Sequence, residues 1–197
     1  MKYQAPTGTY DILPEDQAYW RYIIEKTQQT CSLYGYEQLD VPIFESTSLY
    51  ARNVGDSTDI VEKQMYTFED RSGDSMTLRP EFTAGLVRSY VENKLYGRPQ
   101  PLRLYTIGPA FRYERPQAGR YRQHHQFGIE AIGDGDPTID AEVIHVGWTL
   151  TQELGLRGLA VVVNSIGDPS CRPGYLVALK AYYKEHLAHV CEDCRSR

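Results

Sequence analysis

An arginine-rich stretch from Arg112 to Glu130 constrains the fold of this chain more than any other part of the sequence. It contains four arginines and is divided by the turn-forming residues Pro-Gln-Ala-Gly at 116–119. The pattern predicts two antiparallel strands joined by a loop, with side chains that alternate between the two faces of each strand. On the second strand, one face is predicted to be the polar floor of a site, with Gly128 leaving room for a ligand: His124, Gln126, Gly128 and Glu130. The opposite face is predicted to join the apolar core: His125, Phe127, Ile129 and Ala131.

The charge of this region is opposite to that of the whole chain, which has a net charge of −5. Between Arg98 and Arg122, six arginines face the single acidic residue Glu114, so the local charge is +5. An acidic protein can still present a positive cleft to an anionic ligand. A solvated arginine face is the ordinary alternative. The alternation and the flanking glycines favour a binding site, and the negative net charge argues against nucleic-acid affinity over the whole surface.

The remaining sequence alternates between signals for helices and signals for hairpins. A helix is predicted over 14–34, followed by a strand over 36–44 in which Pro42 indicates an edge or a subunit boundary. A hairpin is predicted from 66–68 and 76–78. Further helices are predicted over 81–96, 136–154 and 169–190, and further strands over 102–107, 110–115, 122–132 and 159–164. Paired strands with interspersed helices predict an α+β fold around an antiparallel sheet.

Length and composition exclude several classes of protein. The 197 residues suffice for one domain with its own core, and no apolar run approaches the length of a membrane span. Without a hydrophobic signal region, the chain is expected in the cytoplasm, with no membrane partner. His186, His189, Cys191 and Cys194 suggest zinc, but four ligands within nine residues could hardly wrap one ion. A helix end is the favoured interpretation, and no metal site is predicted there.

Four segments together resemble one family. The segment 111–123, continued by 125–130, resembles motif 2 of class II aminoacyl-tRNA synthetases in the form found in histidyl-tRNA synthetases. Residues 77–85 (TLRPEFTAG) are similar to that family's amino-acid-binding stretch, and residues 8–14 (GTYDILP) to its N-terminal signature. Residues 35–45 resemble motif 1, which implies that Pro42 lies at a homodimer interface. The resemblance covers essentially the whole chain and implies a class II synthetase-like antiparallel sheet flanked by helices, incomplete on its C-terminal side.

The resemblance implies an ATP-dependent ligase reaction. The carboxylate of L-histidine attacks the α-phosphate of ATP to give histidyl-adenylate and pyrophosphate, and the 3′ end of tRNA(His) then accepts the histidyl group. Arg112 is implied as the catalytic residue, because a planar bidentate cation can hold the histidine carboxylate and the α-phosphate together. Glu114 and Arg120 are implied to contact ATP, with Mg²⁺ bridging the phosphates.

The resemblance also implies which residues bind histidine. Glu81, Thr83 and Gln126 would hold the α-ammonium group, Phe82 belongs to the same set, and Glu130 would accept a hydrogen bond from the imidazole. A polar pocket of this kind discriminates strongly, because a wrong substrate leaves buried polar groups unpaired. Two ordinary alternatives stay open. Glu81 could be an acid favoured by a helix N-terminus, and Glu130 could be the ion-pair partner of an arginine.

Two departures from the family pattern bear on the function. His124 stands where the family commonly has a phenylalanine that stacks on adenine, so His124 is included among the ATP-binding residues and weaker ATP binding is expected than with phenylalanine. Motif 3, a second histidine-specific segment and the anticodon-binding domain are not found in residues 1–197. The chain is therefore interpreted as the N-terminal portion of a catalytic domain, with little or no adenylation activity expected of it alone.

Two other functions compete with the ligase. One is the synthetase-like regulatory subunit of ATP phosphoribosyltransferase in histidine biosynthesis, which shares the fold without charging tRNA. The joint presence of Glu81, Arg112, Gln126 and Glu130 favours the ligase, because a regulator has no need of the ATP-handling arginine. The other is a dimerisation piece that acts on a full-length partner, which the motif 1 resemblance would support.

Overall fold

A computed structural model describes residues 3–54, 64–115, 117–191 and 195. The chain divides into two compact units, Met1–Arg157 and Gly158–Arg197, and each is described by itself. The described helices of the first unit are α1 (Gln17–Leu33), α2 (Thr47–Val54), α3 (Thr83–Glu92) and α4 (Pro137–Glu153). Its described strands are β1 (Glu37–Gln38), β2 (Phe44–Ser46), β3 (Tyr66–Glu69), β4 (Ser75–Leu78), β5 (Leu102–Phe111) and β6 (Gln123–Ile132). The predicted α+β class is confirmed.

The first helix begins and ends where the sequence predicts. A 3-10 turn at Pro14–Asp16 leads into α1, and proline fits the first turn because its missing N–H has no partner there in any helix. Gly35 ends the helix with φ +74°, a conformation that costs glycine little. The backbone N–H of Tyr36 then donates to the carbonyl of Cys31 at 2.9 Å, which closes the last turn.

The larger described sheet has the strand order β1-β5-β6. Strands β5 and β6 pair antiparallel over ten residues each, from Leu102 opposite Ile132 to Phe111 opposite Gln123, whereas β1 runs parallel to β5. The prediction of separate strands over 102–107 and 110–115 is wrong, because β5 continues through Pro109 and stops at Phe111. Strand β1 reaches only Leu104 and Tyr105, so at Pro109 the strand has β6 as its one described neighbour and tolerates a residue without an N–H.

A second sheet has the order β2-β4-β3, and it confirms the predicted hairpin. The Asp70 carboxylate shapes the hairpin turn by accepting from the backbone N–H groups of Ser72 at 2.8 Å and Asp74 at 3.0 Å. The single strand predicted over 36–44 is wrong. That segment is divided between the two sheets, with β1 in one and β2 in the other. Pro42 lies, exposed, in the connection between them.

Two buried clusters cover the two faces of the larger sheet. One lies against α1 and α4, and the apolar face predicted for the second hairpin strand belongs to it through Phe127 and Ile129. Its buried members are Cys31, Tyr36, Tyr105 and Val146. The other cluster contains Val41, Phe82 and Leu86, the last of these from α3. The polar face of β6 therefore lies on the side of α3.

Arg79 is a buried cation, 5% exposed, at the junction between the two sheets. Its Nε donates to the carbonyl of Pro109 at 2.8 Å and its Nη1 to the carbonyl of Val41 at 2.7 Å. A Cβ on Gly108 would lie 2.6 Å from Nη2, so glycine makes room for the guanidinium there. The guanidinium also lies 4.7 Å from the centre of the Phe82 ring. Burial lowers the pKa of Arg79, and its two carbonyl acceptors compensate for part of the lost hydration.

The backbone of the same segment ties these elements to the polar site. The N–H of Arg79 donates to the carbonyl of Ile43 at 2.8 Å, and its own carbonyl accepts from Phe111 at 2.9 Å. The next carbonyl, that of Pro80, accepts from the Nε of Arg112 at 2.9 Å. Residues 79 and 80 therefore link the connection that contains Pro42 to the end of β5.

Replacing Arg79 with alanine should lower the free energy of unfolding by about 3 kcal/mol, because two buried carbonyls lose their donor and a cavity opens beside Phe82. Urea unfolding followed by circular dichroism measures this change. Arg71→Ala, in the exposed turn of the β3–β4 hairpin, should change the same quantity by less than about 0.5 kcal/mol. Equal losses in the two variants would contradict a structural role for the buried guanidinium.

The second unit contains α5 (Arg172–Glu185) and a 3-10 turn at Leu187–His189, which together cover most of the helix predicted over 169–190. The buried strand predicted over 159–164 is wrong. Its residues form no described strand, and Val162 is 92% exposed. A β-branched sequence favours an extended backbone, but a strand also needs a neighbour, and this unit has no other described strand to provide one. Among the residues that the structure describes, no helix is long and apolar enough to cross a membrane.

Candidate active site

Arg112 is the first residue after β5, and its position is fixed at both its backbone and its side chain. Its N–H donates to the carbonyl of Arg122 at 2.9 Å, across the base of the hairpin loop. Its Nε donates to the carbonyl of Pro80 at 2.9 Å. Within the described residues, its two Nη groups have no hydrogen-bond partner of their own. An anchored guanidinium with two unused NH₂ groups is suited to holding an oxyanion.

The four residues predicted to contact ATP come together in one open cleft of about 400 Å³ beside Arg112. Its lining residues are Arg112, Glu114, Gly119, Arg120, Tyr121, His124 and His125. Arg120 Nη1 lies 3.5 Å from Glu114 Oε2, a long and partly exposed contact that contributes little to stability. The pair can therefore separate at small cost when a charged ligand offers better partners.

His124 lies on the polar face of β6, opposite the buried Ala110 on β5. Burial lowers the pKa of His124, and the positive charge of Arg112 lowers it further. The Glu114 charge and the Gln126 side chain oppose this lowering of the pKa. A lowered pKa keeps the imidazole uncharged at neutral pH, so that it presents a flat neutral ring to the cleft.

The carboxylates of Glu81 and Glu130 meet at Thr83, at the start of α3. The hydroxyl of Thr83 donates to Glu130 Oε1 at 2.6 Å. Glu81 accepts from the backbone N–H of Thr83 and, at 3.0 Å, from that of Ala84, so it caps the helix as the structural alternative expected. Within the described residues, the partner of Glu130 is this threonine and not an arginine. Burial raises the pKa of Glu130, the Thr83 hydroxyl opposes that rise, and the charge of Glu81 adds to it.

Gly128 makes room for a side chain of the protein itself, and its predicted role of leaving room for a ligand stays a prediction. A Cβ at this position would lie 3.2 Å from Cδ2 of Phe82, so the absent side chain makes room for that ring. Phe82 is 1% exposed and forms the layer beneath the polar face. Its predicted contact with histidine stays a prediction. Gln126 lies on the same face of β6, opposite Gly108, between His124 and Glu130.

Sequence reasoning assigned no role to Arg79 or to the carbonyl of Pro80, yet both support the site. The dipeptide lies inside the segment 77–85 that carries the family resemblance, and an arginine flanked by apolar residues and proline was the available signal. Pro42 is exposed, and its predicted place in a dimer interface stays a prediction. Over the described ranges, no group of three or more His, Cys, Asp or Glu side chains could hold a metal ion, and Cys194 lies outside those ranges.

Comparisons with known proteins agree on one family. The family model described as histidyl-tRNA synthetase matches residues 8–167. Among curated relatives, a histidine–tRNA ligase from Dehalococcoides mccartyi is 53% identical over 195 residues, which is 99% of this chain and 47% of the relative. One from Geobacillus sp. is 55% identical over 198 residues, which is 100% of this chain and 47% of the relative. The chain spans about half the length of the curated relatives it matches.

Solved structures are similar as well. The apo histidyl-tRNA synthetase of S. aureus superposes with a TM-score of 0.77 at 44% identity, covering 99% of this chain and 46% of that one. A protein of Bacillus halodurans described as an ATP phosphoribosyltransferase regulatory subunit/histidyl-tRNA synthetase superposes with a TM-score of 0.67 at 29% identity, covering 79% of this chain and 39% of that one.

Proposed function

Since the chain belongs to the histidyl-tRNA synthetase family, we propose that it carries part of the active site that activates L-histidine with ATP and transfers it to tRNA(His). One observation supports this most directly. Arg112 is anchored to Pro80, at the boundary between the cleft that holds the predicted ATP residues and the cluster that contains Glu81 and Glu130. A cation placed there can contact two anionic ligands at once.

The proposed chemistry requires positioning and charge neutralisation more than a covalent contribution from the protein. The Nη groups of Arg112 would hold the carboxylate of histidine and the α-phosphate of ATP, so that a carboxylate oxygen can attack phosphorus and pyrophosphate can leave. Glu114 and Arg120 would exchange their weak mutual contact for contacts with ATP. Glu114, which lines the cleft, would help to hold a Mg²⁺ ion together with the phosphates of ATP, and that ion would neutralise part of their charge.

Recognition of histidine would rest on the Thr83–Glu130 pair. The hydroxyl of Thr83 orients the Glu130 carboxylate, whose remaining oxygen lone pairs can accept the imidazole N–H. Glu81 and Gln126 would accept from the α-ammonium group, although the N-terminus of α3 already uses both oxygens of Glu81. A carboxylate oxygen has more than one lone pair, so capping the helix and binding an ammonium group are compatible.

A regulatory role without tRNA charging has weaker support. The curated relatives compared above are 53% and 55% identical and are named histidine–tRNA ligases, whereas the structure whose description includes a regulatory subunit is 29% identical. We assign to this chain the motif 1 and motif 2 portion of a class II catalytic domain. The proposal includes a homodimer whose interface contains Pro42, acting in the cytoplasm.

Histidine-dependent exchange of pyrophosphate into ATP tests this function. We suggest measuring it with residues 1–197 and with a chimera that adds the remainder of the Geobacillus relative, using each of the twenty amino acids in turn. The chimera should catalyse exchange with histidine and with no other amino acid. A folded chimera that binds histidine without exchange would favour the regulatory role, and one that prefers another amino acid would contradict the proposal.

Replacing His124 with phenylalanine should tighten ATP binding about threefold, because a larger aromatic face stacks better on adenine. Isothermal titration with ATP measures the change. His145→Phe, on α4 and against Tyr34, makes the same chemical replacement at a residue that does not line the cleft and should leave the ATP affinity as it was. Equal ATP affinities for the His124 protein and its phenylalanine variant would remove adenine stacking as the role of this position.

A further inference from the structure

A short turn near the N-terminus lies against the base of the arginine-rich loop. We call Pro6–Thr9 the N-terminal turn, and it is closed by two hydrogen bonds from Thr9 to the carbonyl of Pro6, at 2.9 Å from N–H and 2.7 Å from the hydroxyl. The carbonyl of Gly8 then accepts from the N–H of Arg122 at 2.7 Å and from that of Gln123 at 3.3 Å. These two residues lie where the loop ends and β6 begins.

Gly8 is in direct contact with the side chain of Arg122 as well as with its backbone. Its φ of +81° is a conformation that residues with a side chain rarely adopt. A Cβ there would lie 2.7 Å from Cγ of Arg122 and 3.0 Å from its Cβ and Cδ. A few residues further on, the Tyr10 ring packs against that of Tyr121 with 4.9 Å between ring centres. The turn therefore fits closely against the aliphatic stem of Arg122.

The other end of the same side chain is also held. The guanidinium of Arg122 lies 4.0 Å from the centre of the Tyr113 ring, and Tyr113 packs against Tyr66 at 5.5 Å. The Nε of Arg122 donates to the carbonyl of Glu114 at 3.3 Å. Arg122 is thus held between the N-terminal turn on one side and the first half of the loop on the other.

Arg122 connects the turn to residues of the predicted ATP site. Its carbonyl accepts from the N–H of Arg112 at 2.9 Å, and its Nε contacts the backbone of Glu114. Both of these residues line the cleft. A displacement of Arg122 would therefore move the backbone of two groups proposed to contact ATP, while among the described residues the Thr83–Glu130 pair shares no hydrogen bond or ion pair with the turn.

We propose that the N-terminal turn is a positioning element for ATP: Gly8 fixes Arg122, and Arg122 in turn fixes the backbone of Arg112 and Glu114. The inference rests on the proposed function, because it takes the cleft to be the ATP site. Glycine at position 8 supplies both the left-handed backbone and the missing side chain that the contact requires. The turn acts through Arg122 and touches no substrate.

Gly8→Ala tests the proposal, with Gly73→Ala as the matched control. Gly73 also has a left-handed backbone, φ +87°, but no atom lies within 4 Å of the Cβ it would gain. In titrations of each ligand alone, we expect Gly8→Ala to weaken ATP binding at least about tenfold and histidine binding less than twofold. The control should change neither affinity by more than twofold. Unchanged ATP affinity in Gly8→Ala, or equal losses for both ligands, would overturn the proposal.

A double variant tests the path through Arg122. Because the added methyl group would meet the stem of that side chain, Gly8→Ala should weaken ATP binding less in an Arg122→Ala background than in the parent protein. If the fold-losses in ATP affinity of the two single variants simply multiply in the double variant, a direct contact between Gly8 and Arg122 is contradicted. If Gly8→Ala does not fold, Tyr10→Ala removes the neighbouring ring contact and should weaken ATP binding by about threefold, again with histidine binding unchanged.

Hydrogen exchange separates this inference from the proposed function. The amides of Arg122 and Gln123 donate to Gly8 without any ligand, so they should exchange at least about tenfold faster in Gly8→Ala and at the parent rate in Gly73→Ala. A chimera with the parent sequence that fails to bind ATP while these amides respond would reject the proposed function and retain the structural contact. Unchanged exchange at both amides would overturn the positioning role, whatever the ligand.

Discussion

Arg112→Lys is expected to reduce histidine-dependent ATP–pyrophosphate exchange by about a thousandfold. Lysine keeps the charge but loses the planar fork. In the parent protein, the Nε of Arg112 is committed to the carbonyl of Pro80, and the two Nη groups remain for ligands. A single ammonium group cannot satisfy Pro80 and hold two anions in one plane. The loss should appear mainly in kcat, because the bridging contacts strengthen as charge develops on the transferred phosphoryl group.

The measurement uses the chimera described above, with ATP and histidine varied separately. Arg71→Lys, in the exposed turn between β3 and β4, is the matched control and should retain full activity. The lysine variant should also unfold at nearly the parent urea concentration, since Arg112 is only half buried. An exchange rate within tenfold of the parent rate would contradict the proposed catalytic role of Arg112. A rise in the KM values alone would assign it to ground-state binding instead.

The face assignments of the hairpin could be predicted because they depend only on alternation along a strand. Phe127 and Ile129 pack in the core as expected, and His124 and Glu130 lie on the polar face. The extent of the strands was harder to predict. The segment 36–44 is divided between two sheets, and between its two strands the carbonyl of Val41 accepts from Arg79, a residue far along the chain.

The layer beneath the polar face could not be predicted from the sequence either. The sequence shows that position 128 has no side chain, but it does not show which group fills the space. Only the tertiary structure places Phe82 there. The extended sequence over 159–164 is a related case, because its β-branched residues favour a strand while strand formation depends on a partner. Local preferences are therefore recoverable from the sequence, and long-range partners are not.

Glu130→Gln is expected to weaken histidine binding by about a hundredfold while raising the melting temperature of the protein. Glutamine keeps the shape of the side chain and an oxygen that can accept from Thr83. It replaces the second carboxylate oxygen by an NH₂ group, which cannot accept from an imidazole N–H. Histidine titration in the absence of ATP measures the first effect, and thermal unfolding without ligand measures the second.

The stability effect follows from the direction of the pKa shift. Burial raises the pKa of Glu130, so the folded protein binds this proton more tightly than the unfolded chain does. The resulting stability is present below the unfolded pKa and is lost as pH rises through the raised folded pKa. At neutral pH the ionised side chain therefore opposes folding, and the neutral amide relieves that cost. Glu142→Gln should lower the melting temperature instead, because Arg103 lowers the pKa of Glu142 through hydrogen bonds of 2.7 and 2.9 Å and so stabilises the ionised carboxylate in the folded protein.

The pH dependence of histidine binding gives an independent check on the same residue. Affinity should fall as pH is lowered through the raised pKa of Glu130, because the protonated carboxyl group donates where the ligand needs an acceptor. The glutamine variant should lack this component and keep only the titration of histidine itself, which both proteins share. If the glutamine variant binds histidine as tightly as the parent, or if its pH profile matches the parent profile, Glu130 does not accept a hydrogen bond from the imidazole.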